Sequence, residues 1–411
     1  MRIAYFSCQI PYPPTHGGKV DDWRRLNAMK AAGAEILLVT WYSDLQGKAP
    51  QPEHMRALHT VADVVHVWPI LRTWQERLRR LSRLPKWPSH VASRIPSPSQ
   101  RKALNASLDG FQPEAVWLDA LYPLVIATEV AQQRGLNLFY RSHNIEHVYM
   151  GHQVTRANTL RDKVAWGLNL PNLEKAERMA ISQAHTFFDI STDDLAFWRA
   201  QGHMQGQWLP PLIEPAFAAR LGAARETPAQ FDVGYLGNLF APNNVEGVLW
   251  FLQQVVPLVL SARPQTRLFI AGTNPVDAIK AAIEAMPAVT LISNAPDAVT
   301  VLRDADVLVN PVFAGSGVNV KSVEMLFAPA QLVATQQGVA GLPQHVKDCF
   351  VQAETAEGFA KAICQAVEVA KDPQAHAASM HQRQTARAEF DFHRISQVLD
   401  IMSQAGKTKA A

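Results

Sequence analysis

Cysteine is scarce in this sequence, and long apolar runs are missing. Three cysteines, Cys8, Cys349 and Cys364, stand among 411 residues. They lack the spacing of a metal-ligand set, and their odd number does not suggest a disulfide framework. A reducing cytoplasm is therefore the expected location. No stretch reaches the roughly 18–20 apolar residues of a membrane span, so any membrane contact is expected to be peripheral. Residues 1–7 are too short an apolar run for a secretory signal and are predicted to form a buried strand.

Neither sign of charge is in large excess. The chain holds 39 Lys and Arg against 36 Asp and Glu, a formal charge of +3, so the overall balance says little about partners. Hydrophobic residues make up 48% and charged residues 18%, which is typical of a soluble globular protein. Because 411 residues are too many for one ordinary core, we expect two domains of roughly 200 residues each.

Short apolar runs rich in β-branched and aromatic residues alternate with helical patterns along the whole chain. The predicted strands are 3–7, 34–41, 64–70, 115–119, 136–143 and 186–191, then 231–237, 266–272, 289–293, 306–311, 331–335 and 349–353. Nearly continuous apolar strands that alternate with helices indicate parallel sheets covered on both faces. The sequence thus predicts an α/β protein with two doubly wound sheets side by side.

The predicted boundary lies near Pro210 and Pro211, where prolines interrupt the pattern. The first domain is predicted to span 1–208 and the second 209–385. A last helical stretch, 386–404, follows the second domain and is expected to return to the first. The tail from Gly406 to the end is expected to be frayed.

The loops that follow strands are the expected functional positions, because open parallel sheets bind ligands beyond the carboxyl ends of their strands. Gly17 and Gly18 follow the first strand and precede a helix expected from about Val20. Their amides could approach an anion at the positive end of the helix dipole; the alternative is a tight turn with positive φ. They do not form a GxGxxG fingerprint, and no acidic residue closes the second strand, so a nicotinamide dehydrogenase is disfavoured.

Several polar side chains follow the fifth predicted strand. His143, Glu146 and His147 match the H-x-x-E-H zinc motif. That motif requires both histidines on one helical face, whereas His143 is expected to end a strand, so zinc is disfavoured. His143 is a candidate for action on a substrate, the alternative being a structural histidine.

The second half opens with a strand that ends at Gly237 and Asn238, where the backbone could approach a phosphate. Pro296 follows the third strand of this half, and a nucleobase could lie against the backbone there. Asp304 and Asp306 imitate a D-x-D metal motif. They precede their strand, however, which is the wrong end for a site.

The segment 310–324 carries the most specific pattern. A strand ends, a loop of small residues follows, and a helix is expected near Val318. Successive amides of Gly315, Ser316 and Gly317 could cradle a pyrophosphate, with Lys321 paired to its charge. Glu324 lies three residues further on the same helical face and could accept hydrogen bonds from a ribose diol. The alternative for the last two residues is a surface salt bridge.

These motifs, in this order and spacing, resemble family 4 glycosyltransferases of the GT-B fold, especially those that assemble bacterial surface polysaccharides. The resemblance runs nearly end to end. It implies two Rossmann-like domains that face each other across a cleft. It also implies that Glu324 holds the donor ribose and that His143 lies near the transferred sugar. Donor contacts are expected at Gly17, Gly18, Gly237, Asn238, Pro296, Gly315, Ser316, Gly317 and Val318.

Some positions depart from the family pattern. The first glutamate of the family's E-x7-E motif falls on Ser316, as in many polysaccharide members. Asn238, Phe313 and Asn319 stand where basic residues are usual, which leaves Lys321 as the expected cation at the diphosphate. The glycine and proline usual after the second glutamate are replaced by Pro329 and Gln331.

The resemblance implies a retaining transfer from a nucleotide sugar to a hydroxyl of a saccharide or lipid-linked acceptor, in exopolysaccharide, capsule or lipopolysaccharide synthesis. It implies no metal and no cofactor beyond the donor. Two alternatives stay open. A sugar-nucleotide epimerase shares the fold and donor site, and the missing basic residues also fit a catalytically degenerate partner subunit.

The segment Arg72–Lys102 is strongly basic, with nine Lys or Arg residues and one acid, Glu76, a net charge of +8, whereas the rest of the chain sums to −5. Its apolar residues Trp74, Leu78, Leu81 and Leu84 recur near helical spacing. A basic amphipathic segment can rest on anionic lipid, so an anionic membrane surface is a candidate partner. The alternative is that the apolar stripe packs on the domain core. Nucleic acid is not expected, because no binding module surrounds these residues.

Overall fold

The computed structural model describes residues 1–43, 49–71, 73–157, 159–225 and 227–410. The chain divides into two compact units. The first comprises Met1–Leu212 and Phe392–Ala411, and the second comprises Ile213–Asp391. The junctions thus lie at 212 and 391, where the sequence predicts 208 and 385. Leu209 and Leu212 remain with the first unit because their side chains are buried in its core.

The secondary structure alternates between strands and helices. The strands are β1 (Arg2–Ser7), β2 (Glu35–Ser43), β3 (Val64–Ile70), β4 (Ala115–Asp119), β5 (Asn137–Ser142), β6 (Thr186–Asp189), β7 (Gly206–Trp208), β8 (Phe231–Asn238), β9 (Leu268–Thr273), β10 (Val289–Ser293), β11 (Ala305–Asn310), β12 (Gln331–Ala334) and β13 (Val351–Gln352). The helices of the first 222 residues are α1 (Gly17–Ala31), α2 (Pro52–Val61), α3 (Trp74–Arg83), α4 (Ser89–Ala92), α5 (Pro98–Phe111), α6 (Leu124–Gln133), α7 (Glu146–Arg156), α8 (Leu160–Gly167), α9 (Leu173–Gln183), α10 (Thr192–Ala200) and α11 (Pro215–Gly222). The later helices are α12 (Pro242–Trp250), α13 (Val256–Ala262), α14 (Asp277–Glu284), α15 (Ala298–Arg303), α16 (Val320–Met325), α17 (Gln344–Lys347), α18 (Ala356–Lys371), α19 (Pro373–Ala388) and α20 (Arg394–Ala410).

The first unit is built on a seven-stranded sheet in the order β3-β2-β1-β4-β5-β6-β7, with every pair parallel. Successive residues of β1 point to opposite faces. Ala4 and Phe6 join one buried cluster, and Ile3 and Tyr5 join the other. The continuous apolar strand is therefore buried on both faces, as the sequence predicts. The short strand β7 is the one strand of this sheet that the sequence analysis missed.

The second unit is built on a six-stranded sheet in the order β10-β9-β8-β11-β12-β13, also parallel throughout. Two buried clusters again cover its faces. All the strands predicted for this half are present, and their ends move by at most two residues. The prediction of two doubly wound parallel sheets is confirmed.

The last helical stretch is two helices rather than one. Helix α19 ends at Ala388 and α20 begins at Arg394. Helix α20 belongs to the first unit: Val398 and Met402 lie in its core, and Asn137 donates a hydrogen bond to the carbonyl of Ala405 at 2.9 Å. Helix α20 extends to Ala410, and the frayed tail expected from Gly406 stays a prediction. Ala411 lies outside the described residues.

The segment Pro242–Ala262 is the one described helix that is long and apolar enough to cross a membrane. It comprises α12, a π-helical turn at Phe251–Val255, and α13. Val248, Leu252 and Val259 of this helix are buried in a core cluster of the second unit. A core helix of a soluble domain meets the same criteria, so the segment is weak evidence for a membrane span.

Candidate active site

His143 lies at the carboxyl edge of the first unit's sheet, one residue beyond β5. In the adjacent strand β4, Asp119 is the last residue. The Nε2 atom of His143 is 2.8 Å from Oδ1 of Asp119, whereas Nδ1 is 3.7 Å from Oδ2 of Asp21. The side chain is 15% exposed. One ring nitrogen is thus hydrogen-bonded to a carboxylate, while the other is beyond hydrogen-bonding distance of Asp21 and can bond a ligand.

A buried cluster of charged side chains fixes Asp119 in place. The Tyr5 hydroxyl is 2.6 Å from Oδ2 of Asp119 and 2.6 Å from Oδ1 of Asp22, and Arg25 also donates to Asp119. Burial, reinforced by the charge of Asp119, raises the pKa of Asp22 to about 8. Burial also opposes ionisation of Asp119, but Arg25 and His143 hold the pKa of that carboxyl well below its usual range. Asp22 is therefore protonated at neutral pH, and Asp119 presents an ionised carboxylate to His143.

A second ion pair completes this cluster. Arg141 and Arg25 lie 3.0 and 2.6 Å from Oδ2 of Asp21. Burial opposes ionisation of Asp21, but the two guanidinium groups lower the pKa of Asp21 to about 2. Asp21, Arg25 and Arg141 were not predicted from the sequence as site residues. The run 21–25 is a sequence signal for Asp21 and Arg25, because four of its five residues are charged. In the structure these four charged residues are buried.

Gly17 and Gly18 are the first two residues of α1, which begins three residues before the predicted start. Neither glycine has a positive φ, so the alternative of a strained tight turn is wrong. No side chain caps this helix: the N-cap residue, His16, makes no capping hydrogen bond. The two exposed glycines therefore leave the helix N-terminus open, as an anion site requires.

The zinc motif is not formed. Helix α7 begins at Glu146, so His143 stands outside it. His147 is instead held by Glu177, with Nδ1 2.6 Å from the carboxylate. In the described part of the chain, no group of three or more His, Cys, Asp or Glu residues is placed to hold a metal ion.

In the second unit, Gly237 and Asn238 end β8, as predicted. The side-chain oxygen of Asn238 accepts hydrogen bonds from the amides of Phe240 at 2.9 Å and Ala241 at 3.3 Å. The Asn244 side chain donates to the Asn238 carbonyl at 2.9 Å. The side chain and the backbone carbonyl of Asn238 thus both stabilise the turn into α12.

The small-residue loop at 315–317 joins β11 to α16. Gly317 has a φ of 61°, a conformation that suits glycine. A Cβ atom on Gly315 would lie 3.7 Å from Nε2 of Gln337 and 3.9 Å from Nδ2 of Asn243. Two side-chain amides therefore flank the loop, and the sequence analysis assigned no role to either. Helix α16 begins at Val320 rather than at the predicted Val318.

Helix α12 approaches the end of β11 closely at one glycine. A Cβ atom on Gly247 would lie 2.3 Å from the carbonyl oxygen of Pro311. Any larger residue would push the helix away from the strand end. This close packing keeps Asn243 and Asn244, at the start of α12, beside the loop that follows β11.

Lys321, in α16, contacts strand β8 and the start of helix α12. Its Nζ atom is 2.9 Å from the Tyr235 hydroxyl and 2.9 Å from Oδ1 of Asn244, and it lies 4.4 Å from the centre of the Tyr235 ring. These partners are neutral, so the alternative of a salt bridge with Glu324 is not formed. Burial lowers the pKa of Lys321 to about 7. Glu324 follows one turn later in α16.

Pro296 and Asp306 lie elsewhere in the second unit than the loop 315–317. Pro296 is exposed after the edge strand β10. The neighbouring Asp297 caps α15 by accepting from the amide of Val299 at 3.1 Å. Asp306 lies in β11 near its amino end, where its carboxylate is 2.9 Å from Arg225. Position and pairing thus agree with the prediction that Asp306 lies at the wrong end of its strand for a site.

Known proteins match both the second unit and the whole fold. Residues 230–368 match the family described as Glycosyl transferases group 1. An uncharacterized 44.6 kDa protein in the cps region of Klebsiella pneumoniae is 26% identical over 372 residues, which cover 88% of this chain and 90% of that protein. Two solved structures resemble the chain along nearly its whole length. A glycosyltransferase from Rickettsia africae has a TM-score of 0.65 at 10% identity, covering 98% of each chain. Anabaena Alr3699/HepE in complex with UDP has a TM-score of 0.62 at 12% identity, covering 98% of this chain and all of that one.

The fold is GT-B, as predicted, and residues 230–368 of the second unit are similar to the group 1 glycosyl transferases. The prediction of a glycosyltransferase enzyme is confirmed at this level. Membership of family 4, retention of configuration and the roles of individual residues stay predictions.

Proposed function

We propose that the protein is a retaining glycosyltransferase of family 4 that moves a sugar from a nucleotide-sugar donor to a hydroxyl of a saccharide or lipid-linked acceptor. We further propose a role in the synthesis of exopolysaccharide, capsule or lipopolysaccharide. The relative from a capsule (cps) region supports this assignment. The observation that supports the proposal most strongly is the arrangement of loops and polar side chains around Lys321 in the second unit.

The diphosphate of the donor would lie at the loop 315–317. Backbone amides of Gly315, Ser316 and Gly317 would bond its oxygens, and Val318 would flank them as the chain turns toward α16. In the described part of the chain, Lys321 hydrogen-bonds Tyr235 and Asn244 and no carboxylate, so a bound phosphate would supply a negative charge. Supporting evidence comes from Anabaena Alr3699/HepE, which was crystallised with UDP and with UDP-glucose.

The nucleoside would extend from the diphosphate to Glu324 and Pro296. Glu324 would accept hydrogen bonds from the ribose diol, and the base would lie against the backbone beside Pro296. Gly237 and Asn238 would contribute backbone contacts at the end of β8, and we also propose that the amides of Gly17 and Gly18 contact the donor.

The chemistry required is stabilisation of a nucleoside diphosphate leaving group as the glycosidic bond breaks. Preorganised amides and a lysine stabilise the charge that develops on the departing phosphate. The acceptor hydroxyl then attacks the same face of the sugar and transfers its proton to that phosphate. His143, fixed by Asp119 through Nε2, would accept a hydrogen bond at Nδ1 from a hydroxyl of the transferred sugar. No side chain forms a covalent intermediate in this scheme.

The decisive experiment measures both donor binding and product. Ligands that bind only the folded state raise its melting temperature, so nucleoside diphosphates and their sugars are screened by thermal stabilisation. Donor consumption is then followed with acceptor and without it, in excess chelator. Transfer that requires an acceptor and persists in chelator supports the proposal. Conversion of the donor to an epimer without acceptor would identify the epimerase instead, and binding without any turnover would identify a degenerate subunit.

The first unit also carries a surface that suits an anionic membrane. Helix α3 has no buried residue. Trp74, Leu78 and Leu81 are 69%, 56% and 54% exposed, and Arg77 is exposed among them. The apolar stripe therefore does not pack on the core at these positions. Arg72, the first residue of the predicted segment, lies outside the described residues.

Helix α8 also exposes apolar side chains. Leu160 and Val164 are 78% and 55% exposed. The two regions are joined, because the Asn172 side chain, after α8, donates to the carbonyl of Leu84, after α3, at 3.3 Å. We propose that α3 and α8 together rest on anionic lipid, with the protein peripheral on the inner face of the cell membrane.

A further inference from the structure

A cavity of about 570 Å³ opens in the first unit at the carboxyl edge of its sheet. It is lined by the residues that follow β1, by the end of β2 and by the end of β3. The loop after β1 is tied to β2 by a hydrogen bond from the amide of Ile10 to the carbonyl of Trp41 at 3.0 Å. This volume is within the range of roughly 300–1,000 Å³ typical of ligand pockets.

The cavity lies beside the His143 cluster. Cys8 lines the cavity, and the preceding residue, Ser7, donates a hydrogen bond to Asp22 of the cluster at 2.5 Å. In the sheet, β1 stands between β2, which lines the cavity, and β4, which ends at Asp119. A ligand in the cavity would therefore extend along the same edge of the sheet toward His143.

Aromatic side chains form much of the lining. Tyr12, Trp41, Tyr42 and His54 line the cavity, and the rings of Tyr12 and His54 meet edge to face at 6.0 Å between centroids. Rings that contact one another lose little freedom when a ligand arrives. A flat ligand with apolar faces and hydroxyl edges, such as a sugar ring, suits a wall of this kind, with Gln9 and Gln51 as polar partners.

Two cations line the same cavity without a carboxylate partner. Among the residues that the structure describes, Arg94 hydrogen-bonds only neutral groups: the carbonyl of Cys8 at 2.9 Å, the carbonyl of His90 at 3.0 Å and the hydroxyl of Ser93 at 3.1 Å. Lys19 forms no ion pair with a described residue. None of the lining residues that the structure describes is acidic. Burial lowers the pKa of Lys19 and of Arg94, because their charges lose water without gaining a counterion.

We propose that this cavity binds the acceptor saccharide and that the acceptor carries an anionic group, a carboxylate or a phosphate, paired with Lys19 and Arg94. The inference rests on the proposed function, because only a transferase requires an acceptor. A carboxylate would belong to an acidic sugar of the polysaccharide. A phosphate would belong to the diphosphate that joins a lipid carrier to its first sugar.

The test is a titration of the whole protein with hexose 1-phosphates, hexuronic acids and neutral methyl hexosides, read by tryptophan fluorescence and by ligand-observed NMR. We expect one anionic class to bind at least tenfold more tightly than the neutral glycosides, since hydrogen bonds to charged groups are the strong ones. The class that binds distinguishes the acidic sugar from the lipid diphosphate. Lys19→Gln should weaken that binding about tenfold or more.

The controls separate a lost contact from a lost fold. Lys30→Gln changes a lysine on the same helix that pairs with Asp63 at 2.7 Å outside the cavity, and it should bind the anionic probe like the wild type. Arg94→Gln removes three structural hydrogen bonds, so it is interpreted only if its melting temperature is retained. Equal binding of neutral and anionic probes, no binding of any anionic probe, or wild-type binding by Lys19→Gln would overturn the inference.

The proposed function is tested separately in the same samples. UDP and the other nucleoside diphosphates bind in the second unit, so Glu324→Ala should weaken their binding without changing that of the anionic sugar. A wild-type protein that binds the anionic sugar probes but no nucleoside diphosphate would contradict the proposed function and leave the cavity as a saccharide site. The opposite result would contradict only the cavity.

Discussion

Lys321 allows a sharp test of the donor site, because its charge depends on the ligand. Its Nζ atom contacts the Tyr235 hydroxyl and the Asn244 side-chain oxygen, both at 2.9 Å. Burial lowers the pKa of Lys321 to about 7, against about 10.4 for an exposed lysine. Above pH 7 the side chain is therefore mostly neutral in the unliganded protein. A bound diphosphate restores its ordinary basicity, so donor binding must take up a proton.

The sign of the pH dependence follows from this uptake. Between pH 7 and the higher pKa of the complex, the liganded state holds more protons than the free state, so affinity falls as pH rises. The limiting slope is about a tenfold rise in Kd per pH unit. Below pH 7 the lysine is already charged and this contribution to the slope vanishes. Measurements from about pH 7.5 to 9 also avoid the second ionisation of the phosphate, near pH 6.

The perturbation is Lys321→Met, which keeps the length of the side chain and removes the amine. A hydrogen bond to a charged group contributes about 1.5–3 kcal/mol, so Kd for the nucleoside diphosphate should rise ten- to a hundredfold near pH 7. The variant should also lose the additional pH slope above pH 7. Lys280→Met is the matched control, because Lys280 pairs with Asp277 on the surface of the same unit.

Isothermal titration calorimetry in two buffers of different ionisation enthalpy measures Kd and the protons taken up in one experiment. We expect close to one proton per ligand at about pH 8 for the wild type and for Lys280→Met, and fewer for Lys321→Met. The reasoning fails if wild type and Lys321→Met bind equally well. It also fails if both take up the same number of protons.

The remaining predictions concern the sugar end, the ribose and the membrane surface. Glu324→Ala should weaken nucleotide binding ten- to a hundredfold with the melting temperature retained; unchanged affinity would exclude Glu324 from the site. His143→Ala should reduce kcat far more than nucleoside diphosphate affinity, and normal turnover would make it a structural histidine. The double change Leu78→Ser with Arg77→Glu should weaken sedimentation with anionic liposomes, unlike Met204→Ser, which alters a 71% exposed methionine on the same unit. Equal recovery of all three proteins at low salt would refute the membrane surface.

The sequence was sufficient to predict both sheets because nearly every strand is buried on both faces. Such strands are read directly from continuous apolar runs. The strand β7 was missed because its three residues, Gly206–Trp208, lack such a run. The predicted continuous helix 386–404 failed for a different reason. The chain there contains no proline or glycine, and the break at 389–393 depends on tertiary contacts such as the burial of Phe390 in the second unit.

The parts of the candidate site that depend on the local backbone could be predicted from the sequence. The parts that depend on tertiary packing could not. Small residues after a strand predicted the loop at 315–317 correctly. The surroundings of Lys321 were not predictable, because Tyr235 and Asn244 lie far from it in the sequence and meet it through the order of the sheet. The carboxylate beside His143 was also missed. In the sequence, Asp119 is only the last residue of a predicted strand. Its position beside His143 becomes evident once β4 and β5 are known to be neighbouring strands.

The place where the chain enters and leaves the second unit has a consequence for biosynthesis. The amide of Ile213 donates to the carbonyl of Phe390 at 2.8 Å, and Ile213 forms a β-bridge with Asp391, so the second unit is an insertion whose two ends lie side by side. A ribosome completes the second unit before it makes α20, which supplies Ile395, Val398 and Met402 to the core of the first. The core of the first unit therefore cannot be completed until the last helix of the chain has been made. A truncated protein that ends at Asp391 should show a protease-resistant second unit and a sensitive first one; resistance of both would show that the first core closes without its last helix.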